Sequence, residues 1–158
     1  MGGGRSRTMD FYKTLATERG DSTELQACIQ ENTEALIANG TTSQRPGILL
    51  GKIQSGKTRA FLGIIASAFD RGYDVAIIFT KGTNVLVKQT IKRLHKDFAK
   101  FIEADEMQVF DIMLLPDNLT PFELSQKLIL VVKKEDDNLK RFISALRISI
   151  PSCVRAVS

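Results

Sequence analysis

Cysteine and histidine are nearly missing from this chain of 158 residues. The two cysteines, Cys28 and Cys153, stand far apart, show no C-x-x-C spacing and build no disulfide framework. With His95 as the single histidine, the nitrogen and sulfur ligands of a zinc site are lacking, as are the partners for most Ser/His or Cys/His nucleophiles. Cys28 falls on the apolar side of a helical pattern and reads as a small core residue. No run reaches the ~18 apolar residues that a spanning helix needs. The Gly-rich, basic amino terminus has no apolar core of the kind a secretory signal carries. The expected compartment is the cytoplasm, with no membrane partner. Residues 1–20 read as a disordered leader, and residues 151–158 as a tail without clear structure.

What remains is ordinary for a globular domain: 43% hydrophobic and 25% charged residues. The chain is long enough for one domain with a sizeable core, expected over residues 21–150. Charge is unevenly spread within a net charge of +4. From Arg45 to Lys100 there are eleven Lys and Arg against three Asp and no Glu, while the remainder holds eleven basic against fifteen acidic residues. A basic central segment suits phosphates, on a nucleotide or along a nucleic-acid backbone. Lys88, Lys92 and Lys96 recur every four residues and share a helix face, with Arg93 nearby. A solvated surface shows the same spacing.

One stretch organises the rest. Gly51, Lys52, Ile53, Gln54, Ser55, Gly56, Lys57 and Thr58 fit G-x-x-x-x-G-K-S/T, the phosphate-binding P-loop. A chance match anywhere in a chain of this length is about half a percent at average residue frequencies. The apolar run Pro46 to Leu50 precedes it and an amphipathic run, Arg59 to Arg71, follows, so strand, loop and helix come in the order the pattern needs.

Period and punctuation predict the other elements. Asp21 to Asn39 is a helix, with Asp21 and Glu24 at capping-box spacing and an apolar stripe of Leu25, Cys28, Ile29, Leu36 and Ile37. Gly47 to Leu50 is a short buried strand. Thr58 to Arg71 is a helix that packs Phe61, Leu62, Ile64, Ile65, Ala68 and Phe69 inward. Tyr73 to Thr80 is a strand, apolar on both faces from Val75 to Phe79 and therefore expected at the centre of a sheet. Asn84 caps a long helix, Val85 to Ile102, buried through Val85, Leu86, Ile91, Leu94, Phe98 and Phe101. Strands follow at Gln108 to Leu115 and Lys127 to Val132, with a short turn over Glu123 to Gln126 between them. A helix spans Asn138 to Leu146, and Arg147 to Ile150 begins a fifth strand. Alternating strands and helices argue for an α/β three-layer sandwich on a mainly parallel sheet, of the P-loop NTPase type. Right-handed crossovers then collect the P-loop, Thr80 to Gly82 and Lys133 to Asp137 at the carboxyl edge.

The loop's chemistry follows from its ligand. Water solvates a triphosphate well, so a protein must offer many preoriented donors. Gly51 and Gly56 let the backbone wrap the phosphates. The amides of Ser55 through Thr58 point inward at a helix amino terminus, Lys57 supplies a charge to the outer phosphates, and the Thr58 hydroxyl suits Mg²⁺. ATP and Mg²⁺ are thus the expected cofactors. Hydrolysis also needs an acidic residue at the end of an apolar strand. Asp111 and the pair Asp136 and Asp137 are the candidates, and neither has the required h-h-h-h-D-E setting.

The runs R-P-G-I-L-L-G-K-I-Q-S-G-K-T and F-L-G-I-I-A-S-A-F-D-R-G-Y-D-V-A-I-I-F-T resemble the first motor lobe of superfamily 2 helicase-like ATPases, in the bacterial branch found with restriction-type endonucleases. T-K-G-T-N-V-L-V-K-Q (Thr80 to Gln89) resembles the second helicase motif, and L-V-V-K-K-E-D-D-N-L (Leu130 to Leu139) the family's K-K loop. The likeness covers about residues 22–146. It implies a RecA-like fold, ATP phosphates at Gly51 to Thr58, and a nucleic-acid backbone, DNA ahead of RNA, near Thr80, Lys81, Gly82 and Thr83. It also implies an upstream glutamine near adenine, for which Gln26, Gln30 and Gln44 are open candidates. The family's D-E-x-D strand and its second lobe are not found, so the chain is expected to be an amino-terminal piece of a larger motor, partnered by a second lobe and by a possible nuclease domain. Such a piece binds ATP–Mg weakly and turns it over poorly.

Two other readings stand beside this one. A complete small P-loop kinase needs an Arg-rich clamp, and only Arg141, Arg147 and Arg155 follow Lys100. A non-catalytic nucleotide-binding module would use the face from Lys88 to Lys100 to dock a partner.

Overall fold

The computed structural model describes residues 10–39, 57–81 and 83–148. The chain divides into two compact units, one of Met1–Gly40 with Leu49–Gly72, the other of Thr41–Ile48 with Tyr73–Ser158.

Among the described residues, the first unit is helical: α1 (Phe11–Arg19), α2 (Thr23–Ala38) and α3 (Lys57–Asp70). The expected disordered leader is corrected over α1, which buries Phe11, Leu15 and Ala16. Phe11 stacks edge-on against Phe69 of α3 at 6.1 Å. At the amino end of α1, Asp10 accepts from the Lys13 N–H. The Asp70 carboxylate accepts the Phe11 and Tyr12 N–H groups at 2.7 and 2.9 Å, so the last residue of α3 satisfies two donors that α1 cannot satisfy itself. Gly20 closes α1 in the left-handed region, φ 60°, where a side chain is disfavoured.

Burial raises the Asp70 pKa more than its two backbone bonds lower it, and the nearby Asp10 raises it further. A carboxyl whose pKa is higher in the folded than in the unfolded chain binds more protons when folded. Its contribution is complete below the ordinary aspartate range and is lost as pH rises through the folded value. Wild type is therefore expected to lose stability relative to Asp70→Asn as pH is raised through that window. Urea midpoints measured across it check this, and parallel curves would refute it.

Two sequence expectations change at α2. Ser22, not Asp21, caps the helix, accepting from the Leu25 N–H at 3.3 Å, and Asp21 turns inward. Cys28 is exposed, because the buried line of α2 runs through Ile29 and Thr33. The Thr33 hydroxyl is accommodated by donating to the Ile29 carbonyl at 2.7 Å.

Gly63 of α3 lets the three helices close. A Cβ there would lie 2.4 Å from Ile29 Cδ1 and 3.2 Å from Tyr12 Cε2. Alanine gains roughly 1 kcal/mol of helix propensity but overpacks the site at a cost of about 1–3 kcal/mol, since Ile29 is fully buried. Gly63→Ala is expected to destabilise. Ile29→Val removes the offending methyl and is expected to be harmless or favourable in the Gly63→Ala background, although alone it costs about 0.5–1.5 kcal/mol. Additive thermal shifts in this double-mutant cycle would count against the packing account.

The second unit is α/β. Its described elements are β1 (Val75–Thr80), α4 (Asn84–Asp97), α5 (Ala99–Glu103), β2 (Met107–Asp111), a 3₁₀ turn (Ile112–Leu114), α6 (Pro121–Ser125), β3 (Lys127–Lys133) and α7 (Asp136–Ile148). The three strands form an all-parallel sheet in the order β1-β3-β2. Among the described residues β3, rather than β1, is the middle strand. Leu128 through Val132 are at most 2% exposed, each worth about 1.5–3 kcal/mol of burial as an upper estimate.

Strand side chains alternate between faces. Val75, Ile77, Leu128, Leu130 and Val132 share one face with Ile112 of the 3₁₀ turn and with Leu139 and Phe142 of α7. Ala76, Ile78, Thr80, Ile129, Val131 and Lys133 point to the other face, and α4 lies against β2 and β3. The sheet is thus flanked by helices, as the alternating pattern predicts.

Several details differ from the sequence reading. The long helix breaks at Phe98 (φ −107°, ψ 17°), and the break turns both Phe98 and Phe101 into the core at 0% exposure. Val87, not the exposed Val85 and Leu86, starts the buried side of α4. β2 stops at Asp111, whose side chain accepts from the Met113 N–H at 3.0 Å and opens the 3₁₀ turn. Arg147 and Ile148, expected in a fifth strand, continue α7. The short turn near Glu123 is α6, opened by a capping box between Thr120 and Glu123. The expected strand Gly47 to Leu50 lies outside the described residues.

Candidate functional site

Two places carry the residues that the sequence singles out, one in each unit. In the helical unit it is the amino end of α3. Gly51, Lys52, Ile53, Gln54, Ser55 and Gly56 lie outside the described residues. α3 is described from Lys57 onward, with the half-buried Thr58 and the exposed Arg59 next. The first-turn N–H groups of a helix have no partner within it and carry its positive dipole end. No acidic residue sits in the first described turn of α3.

Beside this turn lies a charged cluster that sequence reasoning missed. Arg19 Nη2 meets Asp21 Oδ2 at 2.6 Å, and Arg59 Nη2 lies 3.4 Å from Asp21 Oδ1. The Asp21 side chain is fully buried, and that of Arg19 is 9% exposed. The arginines also exchange backbone contacts: Arg19 Nη2 donates to the Arg59 carbonyl at 3.0 Å, and Arg59 Nη2 donates to the Arg19 carbonyl. Tyr12 packs nearby, its pKa raised first by burial and then by the Asp21 carboxylate. The available signal was Ser22, an equally good N-cap one residue on, which frees Asp21 for another role.

In the α/β unit it is the carboxyl edge of the parallel sheet. The register pairs Thr80 with Lys133 and Asp111 with Val131, so the ends of all three strands meet there. The Thr80 carbonyl accepts from the Lys134 N–H at 3.0 Å. Lys133 Nζ donates to Asn84 Oδ1 at 3.0 Å and pairs with Glu135. Thr83 rather than Asn84 caps α4, accepting from the Leu86 N–H. Thr80 is 8% exposed, yet its hydroxyl has no hydrogen-bond partner among the described residues. Such orphaned buried groups are uncommon in folded proteins. Lys81 is exposed at the same edge, and Gly82 lies outside the described residues. Lys88, Lys92, Arg93 and Lys96 are exposed along α4.

The candidate acids are not brought together into a cluster. Asp111 is engaged with the Met113 N–H, while Asp136 and Asp137 open α7, with Asp137 3.9 Å from Lys140. Among the described residues no group of three or more His, Cys, Asp or Glu could hold a metal ion. Of the candidate glutamines, Gln26 donates to the Asp21 carbonyl at 2.8 Å and Gln30 to Glu34 at 3.1 Å; Gln44 lies outside the described residues. No described helix is long and apolar enough to cross a membrane.

The chain matches no family model, no curated protein and no solved structure.

Proposed function

We propose that this chain is the ATP-binding lobe of a cytoplasmic nucleic-acid motor with a P-loop NTPase fold, resembling the superfamily 2 helicases. Mg²⁺–ATP is held by residues 51–58, and a DNA strand runs along the carboxyl edge near Thr80, Lys81, Gly82 and Thr83. The observation that carries the nucleotide part is a complete G-x-x-x-x-G-K-T sequence that runs into helix α3, described from Lys57 onward. A helix after the loop is what the pattern needs for its dipole to face the phosphates. The DNA part is supported by the Thr80 hydroxyl, unpartnered among the described residues, beside the exposed Lys81 and the cationic face of α4. Lys57 sets the charge on the outer phosphates and Thr58 the metal. Hydrolysis is slow, because Asp111, the acid at the end of β2, commits a carboxylate oxygen to the Met113 N–H and no second acid joins it among the described residues.

The test is direct titration of the 158-residue chain with a fluorescent ATP analogue in Mg²⁺ and, separately, with labelled single-stranded DNA at two salt concentrations. Saturable nucleotide binding is expected, together with DNA binding that weakens steeply as salt rises. Absence of nucleotide binding would defeat the reading; salt-independent DNA binding would defeat its second half.

A further inference from the structure

We propose that Asp21 is a positioning residue for nucleotide binding, acting through Arg59 to hold the first turn of α3 in place. This rests on the nucleotide reading above and adds to it a part of the chain, the α1–α2 junction, that the phosphate-loop pattern does not contain.

Arg59 directly follows Lys57 and Thr58 in that turn. Its side chain reaches back to the Asp21 carboxylate and to the Arg19 carbonyl, while Arg19 reaches forward to the Arg59 carbonyl. The start of α3 is therefore gripped from both directions, by its side chain and by its backbone, across 40 residues of sequence. A phosphate site gains affinity when its donors are already in place and need no ordering on binding, and a misplacement of about 1 Å can cost about a hundredfold.

Among the described residues the cluster keeps spare bonding capacity. Two cations share one carboxylate. Arg19 Nε and Nη1, Asp21 Oδ1 and the Tyr12 hydroxyl are buried without hydrogen-bond partners among the described residues. Arg19 Nη2 meets Asp21 and also donates to the carbonyl of Arg59, the residue next to Thr58.

The test uses the full chain and a fluorescent ATP analogue. The Arg59 side chain is 47% exposed, so Arg59→Gln is expected to leave the thermal midpoint within about 2 °C of wild type. Affinity for the analogue falls about tenfold, and Arg59→Lys, which keeps a cation for Asp21, recovers most of it. Asp21→Asn weakens binding to a similar degree, and the double variant is no weaker than the worse single one. A direct contact between Arg59 and phosphate predicts instead that Asp21→Asn leaves affinity unchanged or improves it, which would overturn the proposal. Wild-type affinity in Arg59→Gln would overturn it as well, while loss of binding in Lys57→Ala kept the nucleotide reading intact. If Lys57→Ala binds like wild type, the nucleotide reading falls and takes this proposal with it.

Discussion

Lys57→Ala is expected to lower affinity for Mg²⁺–ATP by at least about a hundredfold, with little change in stability. Lysine in this pattern offers its ammonium to the outer phosphates. Two charge-assisted hydrogen bonds at about 1.5–3 kcal/mol each correspond to two or more decades at about 1.4 kcal/mol per decade. Alanine is also the best helix former, so the start of α3 at Lys57 is not weakened by the change. Isothermal titration beside a thermal melt separates the two effects. Retained affinity with retained turnover would remove the basis for calling residues 51–58 a nucleotide loop.

Asp21→Ala is expected to be among the most damaging single changes in the helical unit, at about 3–5 kcal/mol, because it removes one partner of a buried ion pair and strands the other. The lower end of that range applies. Arg59 is nearly half exposed and can return to water, whereas Arg19 at 9% cannot. At about 2–4 °C per kcal/mol for a chain of this size, the midpoint should fall by roughly 6–12 °C. A loss under about 1 kcal/mol in urea unfolding would show that the arginines are satisfied without Asp21. Arg59→Gln, by contrast, removes only the more solvated arm, and screening leaves it little to lose.

Much of the α/β unit was legible from local pattern. Tyr73 to Thr80 and Lys127 to Val132 read as strands, and the structure has β1 over Val75–Thr80 and β3 over Lys127–Lys133. Thr58 to Arg71 has helical spacing, and α3 covers it as far as Asp70. Where local signals competed, the reading slipped. Asp21 and Ser22 both make good N-caps, and the choice fell to Ser22 because two arginines claim Asp21. Lys88, Lys92 and Lys96 were placed on one exposed face by their spacing alone, and they are exposed. The same periodicity carried the helix straight through Phe98. It could not register that Phe101 would need a bend to reach the core.

By itself the sequence determined the phosphate-loop pattern from Gly51 to Thr58, the alternation of helix and strand, and the basic centre, since each is written in neighbouring residues. The tertiary structure decided what depends on residues far apart. It folded Phe11 to Arg19 onto α3, where Phe69 supplies a ring and Asp70 a carboxylate. It seated β3 between β1 and β2, which set Thr80 opposite Lys133 at one edge. It also joined Arg19, Asp21 and Arg59 across 40 residues. Local sequence encodes backbone preference and amphipathic period. Burial of a charge, the register of parallel strands and the partner of a buried carboxylate are set only when distant segments compete for the same contacts.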